Sequence, residues 1–380
     1  MLHIRRISSL YATLAVAAIA GAASPAAAQI DADKLSIHGY LTQGYAVSSE
    51  HPIVGVPTVA TADYRAAALQ VRYALTDRDA FVLQLNHRRA SSNPLVNAGD
   101  EVQLGWAFYQ HRIGNGSIRV GRTPATLGLY NETRFVGTLI PLYRAPVSVY
   151  DESFEALDGV LVSQSFEIAP RWRLDASAYG GGFDLDQLSR EVVQLAPGQS
   201  MVVTDVMTVR NDRLYGGQLW LETPIQGVRV GGSAARFKPN DITIPTGMVI
   251  DFPWVSMWQA SLDATTTRGS LRTEYRDVDF GPYSRFSYYA QGVGNLTEQL
   301  AVVAQAEFMA VDDAATPNVE ERSQHHRDLA LGARFALSPS VVFKLEGHRA
   351  KGYLLWDEYT DLTQPRKTTT YGIASVSVSF

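Results

Sequence analysis

The chain has 380 residues, of which 33 are basic and 38 acidic, and it contains no cysteine. The net charge of −5 gives no support to nucleic acid as a partner, and the lack of cysteine excludes disulfides, thiolate metal sites and a cysteine nucleophile. We find no linker, change of composition or repeat of fixed period, so we expect one large closed unit.

Residues 1–28 have the pattern of a secretory signal peptide. Arg5 and Arg6 precede an apolar core from Leu10 to Ala20, and three alanines end the segment. A membrane anchor helix is the alternative, but the apolar core is shorter than the ~20 residues that a span needs. We therefore predict a cleaved signal peptide, 1–28, and a single mature domain, 29–380, with a net charge of −7.

The mature chain alternates apolar and polar residues, and it has no uninterrupted apolar stretch approaching ~18 residues. The alternation predicts one apolar face for each of these segments: Leu69 to Leu75, Phe81 to Asn86, Val102 to Phe108 (with Val102, Leu104, Trp106 and Phe108 outward), Trp172 to Ala178, and Leu329 to Phe335. A soluble sandwich with one wet face would alternate in the same way. Strands of about ten residues or more, joined by short and long connections in turn, favour a membrane barrel.

Turn residues mark seven short connections, and eight others lie between them, mostly longer, which together predict sixteen strands. A hairpin hidden at Met201 to Val206, within the predicted outer connection 184–210, would change this count by two. The last strand, Thr368 to Phe380, is expected to pair with the first, Lys34 to Ser48. Closure is required because lipid offers no partner to an unpaired strand edge.

One connection is exceptional in length: about thirty residues follow the short strand Ser117 to Thr123 and reach Ser153. Loops beyond ~12–15 residues are usually functional, and this one is too rich in aromatic, Pro and Leu residues to be disordered. We predict that it folds into the barrel and narrows the pore. The candidate constriction residues are Tyr130, Glu132, Arg134, Tyr143 and Arg144. For each of them, pinning of the loop to the wall is the alternative role.

Strand parity predicts which charged side chains face the lumen. The basic set is Arg72, Arg88, Arg119, Arg173, Arg229, Arg272, Arg276, Arg285, Arg334 and Lys344, and the acidic set is Asp175, Glu222, Asp263, Glu274, Glu307 and Glu346. Our main pore-lining candidates are Arg72, Arg119, Arg173, Arg229, Arg272, Glu274, Arg334 and Lys344. The basic excess predicts a weak anion preference. Alternatively, these charges pair across strands and only keep the lumen wet.

The segment Gly39-Tyr-Leu-Thr-Gln-Gly-Tyr45, together with a last strand of alternating apolar residues that ends on Phe380, resembles Gram-negative outer-membrane porins. The segments Val120 to Arg134 and Pro141 to Tyr150 look like the start of the porins' third loop, including that of phosphate-selective and related substrate-selective porins. The resemblance implies an inward-folded constriction loop, recognition of the Phe380 strand by the barrel-assembly machinery, and a homotrimer. The loop departs from the family in lacking a dense acidic cluster opposite an arginine ladder.

Catalytic patterns are weak: neither Gly-x-Ser-x-Gly nor His-Glu-x-x-His occurs. Glu321, His325, His326 and Asp328 form a weak candidate metal site, which we expect in a polar outer loop. We therefore predict an all-β transmembrane barrel of about sixteen antiparallel strands in the outer membrane of a Gram-negative bacterium. Its expected function is passive diffusion of small polar or anionic solutes, with no cofactor and no enzymatic activity. A barrel hydrolase and a surface adhesin are the alternatives.

Overall fold

The computed structural model describes residues 32–91, 93, 96, 102–150, 154–196, 199–243, 249–313, 326–352 and 367–380. A 3-10 turn occupies Ala32–Lys34. A compact unit from Ile37 to Phe380 contains the barrel. No helix in these described ranges has the length and apolar character of a membrane span.

Sixteen strands form one closed antiparallel barrel, as predicted, and two further short strands form a separate ribbon. The bounds are β1 Leu35–Ser48, β2 Thr61–Ala74, β3 Asp79–Ala90, β4 Gln103–Ile113, β5 Gly116–Pro124, β6 Ala156–Ala169, β7 Trp172–Ala196, β8 Gln199–Glu222, β9 Val228–Lys238, β10 Ile242–Thr243, β11 Val249–Ile250, β12 Val255–Thr266, β13 Gly269–Asp279, β14 Tyr283–Asn295, β15 Leu300–Asp313, β16 His326–Ser338, β17 Val341–Gly352 and β18 Lys367–Ser379. The ribbon is β10–β11, and every other strand pairs with its neighbours around the barrel.

The barrel closes through β1 and β18, where Tyr40 lies opposite Ser379. Gly39 and Phe380 exchange two backbone hydrogen bonds, each of 3.0 Å from nitrogen to oxygen, just beyond this pair. No strand of the barrel is therefore left with an open edge, which is what the interior of a membrane requires. The predicted closure of the first strand on the last is confirmed.

The two faces of the wall differ in the way that the alternation predicts. On β3, Phe81 and Leu83 are 52% and 41% exposed, whereas Val82 and Gln84, which alternate with them, are buried. Exposed apolar side chains continue on the same face of the other barrel strands. In a closed barrel the exposed apolar face is the outer surface, so the barrel presents a lipid-facing belt. A soluble sandwich is excluded by this arrangement.

A β-bulge on β4 reverses part of the predicted parity. Gln84 of β3 lies opposite Trp106, but the next residue, Leu85, lies opposite Leu104, so that Gly105 is the extra residue. Trp106 and Phe108 consequently face inward, while Leu104 stays on the outer face. The expectation that both aromatic side chains face the lipid is wrong, because one inserted residue exchanges the two faces of a strand.

The predicted outer connection 184–210 is strand instead. β7 and β8 remain paired as far as Ala196 and Gln199, so the segment lengthens an existing hairpin and adds no new strand. The count of sixteen is therefore unchanged. The hairpin between β13 and β14 is tight, as expected, with the nitrogen of Phe280 2.9 Å from the carbonyl oxygen of Tyr283.

Loop segments fill part of the barrel interior. The turn Ile53–Val56 between β1 and β2 is buried against Tyr64 of β2 and Val147. On the opposite wall, Leu127 and Phe154 pack against apolar side chains of β6 to β9, β12 and β13. Aliphatic and aromatic contacts of this kind hold a long connection in one conformation. The apolar run Ile53 to Val56 was the sequence signal for the first of these packed segments.

Candidate functional site

The connection between β5 and β6 contacts the inner face of the wall on most sides. We call residues 125–150 and 154–155 the inner loop. Its polar contacts reach Ser177 of β7, Gln218 of β8, Ser233 of β9, Glu274 of β13, Gln291 of β14, Glu307 of β15, Arg334 of β16, and Lys344 and Glu346 of β17. These wall side chains all face inward by register and burial. The inner loop is thus held against the inside of the barrel.

Glu274 on β13 is the main acceptor for the start of the inner loop. Its carboxylate accepts hydrogen bonds from the nitrogen of Leu129 at 3.0 Å and from the hydroxyl of Tyr150. Wall donors complete the set, with Ser261 at 2.6 Å, Gln259 at 2.7 Å and Tyr289 at 2.8 Å. A buried carboxylate is stable only when such donors replace its hydration. Glu274, predicted as a pore-lining residue, therefore acts as an anchor for the inner loop.

Gly128 lets the backbone approach this carboxylate. Its φ is +63°, a left-handed conformation that favours glycine. A Cβ at this position would collide with Gln259, with the hydroxyl of Tyr150 and with the carboxylate of Glu274. The position requires glycine both for its backbone angle and for the space around it.

Tyr130 is buried beside this anchor. Its hydroxyl donates to Oε1 of Gln291 at 2.5 Å and accepts from Nη1 of Arg272 at 3.0 Å. Arg272 also donates to Asp263, at 3.1 Å. Of the predicted residues, Tyr130 and Arg272 are thus brought together as a contact between loop and wall.

A second group of wall charges holds the middle of the inner loop. Glu346 and Glu307 accept from the backbone nitrogens of Tyr143 and Ser148, both at 2.8 Å. Lys344 donates to the carbonyl of Leu142 at 2.7 Å, and Arg334 donates to the carbonyl of Thr138 at 3.0 Å. An irregular loop leaves backbone donors and acceptors without secondary-structure partners, and here charged side chains supply those partners.

Glu155, at the end of the inner loop, pairs with Arg134 in the first half of the loop and with Arg88 of the wall. Oε1 of Glu155 is 3.4 Å from Arg134 and 2.8 Å from Arg88 of β3, and the Arg88 guanidinium lies 4.3 Å from the ring centre of Phe135. Burial raises the pKa of Glu155, but Arg88 and Arg134 lower it by more, so the pKa lies below its ordinary value of 4.5. Sequence reasoning missed Glu155, although it directly precedes β6.

The remaining predicted constriction residues differ in exposure. Glu132 is half-exposed, and its carboxylate is 3.8 Å from Nη1 of Arg119. Tyr143 packs on Tyr64, with 4.7 Å between ring centres, and the Arg144 guanidinium lies 5.9 Å from the same ring. A cavity of about 40 Å³ next to Tyr143 and Arg144 holds only a few water molecules. Glu132 is therefore the inner-loop charge most open to the lumen.

Another part of the inner wall keeps its charges in water. Arg173 pairs with Asp175 at 3.3 Å and also with Glu222, and Arg229 pairs with Asp263 at 3.0 Å. The Arg173 side chain is 48% exposed and that of Arg229 40%. Arg72 also faces inward, since it lies opposite Val82. We call the ends of β5 to β9 nearest the short turns, where Arg119, Arg173 and Arg229 lie, the open wall.

Two residues of the weak candidate metal site, His326 and Asp328, lie in the described part of the chain. Asp328 lies on β16 rather than in an outer loop, and it is buried with His326 on the inner face. Asp328 bonds His348 at 3.0 Å and Tyr371 at 2.6 Å. Glu321 and His325 lie outside the described residues, and within the described ranges no three His, Asp or Glu side chains are placed to hold a metal ion. Counting His348 with Lys344 and Glu346, which share its parity, would have revealed this network.

No family model matches the chain, and no curated protein matches it. Solved structures do. The OmpF–daunomycin complex of Salmonella typhi aligns over 92% of this chain and 99% of its own, with TM-score 0.61 and 9% identity. The alignment with the anion-selective porin of Comamonas acidovorans covers 91% of this chain and 99% of that porin, with TM-score 0.56 and 11% identity. The outer-membrane channel DcaP of Acinetobacter baumannii covers 91% and 97%, with TM-score 0.57 and 9% identity. The chain has the sixteen-stranded fold of these Gram-negative outer-membrane porins.

Proposed function

We propose that the protein is a passive diffusion channel for small polar solutes. The observation that carries this proposal is the contrast within the barrel: the inner loop is anchored to one part of the wall, while the charged side chains of the open wall stay hydrated. A solute would pass beside the Glu132–Arg119 pair, along the open wall that carries Arg173 and Arg229. Passage along such a path needs no energy source, because fixed charges and a restricted width are sufficient for sieving.

The proposal includes a weak anion preference. Arg119 and Arg72 carry positive charge at the open wall and near it, and Arg72 makes no ion pair with any described residue. The preference is weak because Arg173 and Arg229 are balanced by Asp175, Glu222 and Asp263. Pairing across strands therefore accounts for Arg173 and Arg229, whereas the anion preference depends on Arg72 and Arg119. Two of the similar structures are described as an anion-selective porin and a channel, which is consistent with the proposal.

Planar-bilayer recording of the purified mature barrel tests the pore. We expect discrete conductance steps and, under a KCl gradient, a reversal potential displaced slightly toward that of chloride. Protein denatured by boiling before addition is the control. A silent bilayer with folded protein would reject the channel and favour the alternatives of a barrel enzyme or an adhesin.

The constriction is tested separately. Replacing residues 130–145 by a short Gly-Ser linker removes most of the proposed barrier while leaving all sixteen strands intact. We expect a larger conductance and entry of larger neutral polymers, measured with polyethylene glycols of increasing size. Unchanged conductance and an unchanged size limit would reject the constriction without rejecting the pore.

Two partner assignments belong to the same proposal. Phe380 is exposed at the end of β18, where the barrel-assembly machinery would read it, and removal of Phe380 should lower the yield of folded barrel in the outer membrane. A homotrimer is the proposed assembly. Native mass spectrometry of the detergent-extracted protein checks it, and a monomer under all mild conditions would argue against it.

A further inference from the structure

Three basic side chains lie together on the outer surface of the barrel, at the end that carries the long connections. Arg327 of β16 lies opposite Lys351 of β17, and Arg349 lies opposite Leu329, which is 62% exposed on the lipid side. Register therefore places all three on the outer face. Arg327 and Lys351 are direct cross-strand partners, and Arg349 lies two residues before Lys351 on the same face. We call Arg327, Arg349 and Lys351 the outer basic cluster.

A band of outward aromatic side chains shows how deep this cluster lies. Neighbouring rings contact one another across β12 to β15, with centre distances of 5.0 Å for Trp258–Tyr275, 5.1 Å for Tyr288–Phe308 and 5.7 Å for Phe286–Phe308. The Arg327 guanidinium continues the band, 5.4 Å from the ring of Phe308. Aromatic girdles of membrane barrels lie at the level of the lipid headgroups. The outer basic cluster is thus at headgroup depth on the side of the outer leaflet.

The cluster has no acidic partner among the residues that the structure describes. Asp312, the nearest outward carboxylate along β15, is four residues beyond Phe308, or about 13 Å along the strand. Two outward arginines elsewhere each have a carboxylate partner: Arg122 with Asp158 at 3.0 Å, and Arg210 with Asp212 at 2.7 Å. Within the described residues, these three adjacent cations without a carboxylate form a positive site beside the exposed apolar side chain of Leu329.

Grooves suited to acyl chains run past the cluster. One, of about 550 Å³, lies between Tyr288 and Phe308 on one side and Leu329 on the other, with the small Ala306 at its floor. A second, of about 580 Å³, lies beyond Leu329 and has Gly347 and Gly372 at its floor. A Cβ on Gly347 would meet no atom within 4 Å, so this groove is open. Both grooves include Arg349 in their lining.

We propose that the outer basic cluster binds the phosphate of an outer-leaflet lipid whose acyl chains occupy the two grooves. Guanidinium groups bind phosphate oxygens in a bidentate manner, and the lysine adds a point charge. The occupant is a lipid because the cations lie at headgroup depth and directly adjoin apolar grooves. This site lies outside the lumen, so the proposal of lipid binding does not depend on whether the protein is a channel.

Native mass spectrometry of the full mature barrel in detergent tests the site, with lipid A as the phosphate-bearing probe. We expect one lipid A to remain bound per barrel, and the triple variant R327Q/R349Q/K351Q to lower its apparent affinity at least tenfold. Arg236→Gln is the matched control, since Arg236 also stacks on an outward aromatic ring, 4.9 Å from Trp254, away from the cluster. Folding of each variant is checked by the heat-dependent shift in electrophoretic mobility.

Two further probes separate the contributions of headgroup and acyl chain. Dephosphorylated lipid A should bind the wild type about as weakly as lipid A binds the triple variant. Gly347→Leu, which fills one groove and leaves every charge in place, should also weaken binding of lipid A. Equal binding of lipid A to the wild type and the folded triple variant would overturn the proposal. So would full displacement of lipid A by millimolar inorganic phosphate, which would mean that the site recognises free phosphate.

Discussion

Two parts of the same inner wall use charged residues in opposite ways. On β13 and β17, which the inner loop covers, Glu274 and Lys344 are nearly inaccessible to solvent. On the open wall, Arg173 and Arg229 remain about half-exposed. Parity puts all four in the same class, namely inward-facing charges. Their roles differ because the inner loop lies against one part of the wall and leaves the other in water.

The difference between the covered wall and the open wall has a simple electrostatic basis. A charge covered by protein must receive hydrogen bonds in place of its hydration, and the irregular backbone of the inner loop supplies them. A charge at a wet surface retains its water and gains little from a neighbour. The covered charges therefore determine the position of the loop, whereas the open charges are available to passing ions.

Loss of the Glu274 carboxylate should affect the covered wall most strongly. Glu274→Ala removes the acceptor of five buried donors, at a cost of about 3 kcal/mol or more: the nitrogen of Leu129, the amide of Gln259 and the hydroxyls of Tyr150, Ser261 and Tyr289. We expect release of the start of the inner loop, seen as protease cleavage within residues 125–150 and as larger, noisier conductance steps.

The control for this experiment is Glu222→Ala, which removes an equivalent carboxylate from the open wall. It should leave protease resistance of the inner loop unchanged. If the two variants behave alike, the distinction between the covered and the open wall is wrong.

Gly128→Ala is a smaller change that tests the same anchor between the inner loop and the covered wall. An alanine at φ +63° costs roughly 1–2 kcal/mol in backbone strain, and its Cβ would in addition press on Glu274. We expect a lower temperature of loop release in protease assays, with the barrel itself still folded. Gly114→Ala is the matched control. Gly114 also has a positive φ, +55°, but a Cβ there would meet no other atom within 4 Å.

Acid should weaken the closure of the inner loop at Glu155. The folded-state pKa of Glu155 lies below the ordinary 4.5, so its ion pairs stabilise the loop above that pH and are lost as the pH falls through the lowered value. We expect channel noise to rise below about pH 4.5 in the wild type. Glu155→Gln should be noisy already at pH 6 and should change less on acidification; matching pH profiles would contradict this role.

The smallest effects are expected on the open wall. Arg229→Gln should change the free energy of unfolding by only about 1 kcal/mol, because the Arg229 side chain is 40% exposed and the buried Asp263 keeps its ion pair with Arg272 at 3.1 Å. The reversal potential in a KCl gradient should move a few millivolts toward cation preference. Asp175→Asn should move it in the opposite direction. Shifts of the same sign in both variants would show that these side chains do not face the permeation path.

Much of the architecture was predictable because a membrane barrel obeys a two-residue period. Phe81 and Leu83 had to face lipid if Gln84 faced inward, and Phe380 had to reach the first strand for closure. The prediction failed at Trp106 and Phe108, because nothing local to the sequence announces that Gly105 is an extra residue. It also failed for Asp328, which a polar neighbourhood had suggested to be in a loop.

The sequence by itself determined the barrel, about sixteen strands, the lipid-facing belt and, away from the bulge on β4, the side chains that point inward, because each follows from parity and from the need to pair every strand edge. Only the tertiary structure decided which inward charges hold the inner loop and which stay in water. That division depends on contacts between residues far apart in the chain, such as Leu129 with Glu274 and Tyr143 with Glu346. The outer basic cluster has the same origin, since register across β16 and β17 brings Arg327 to Lys351.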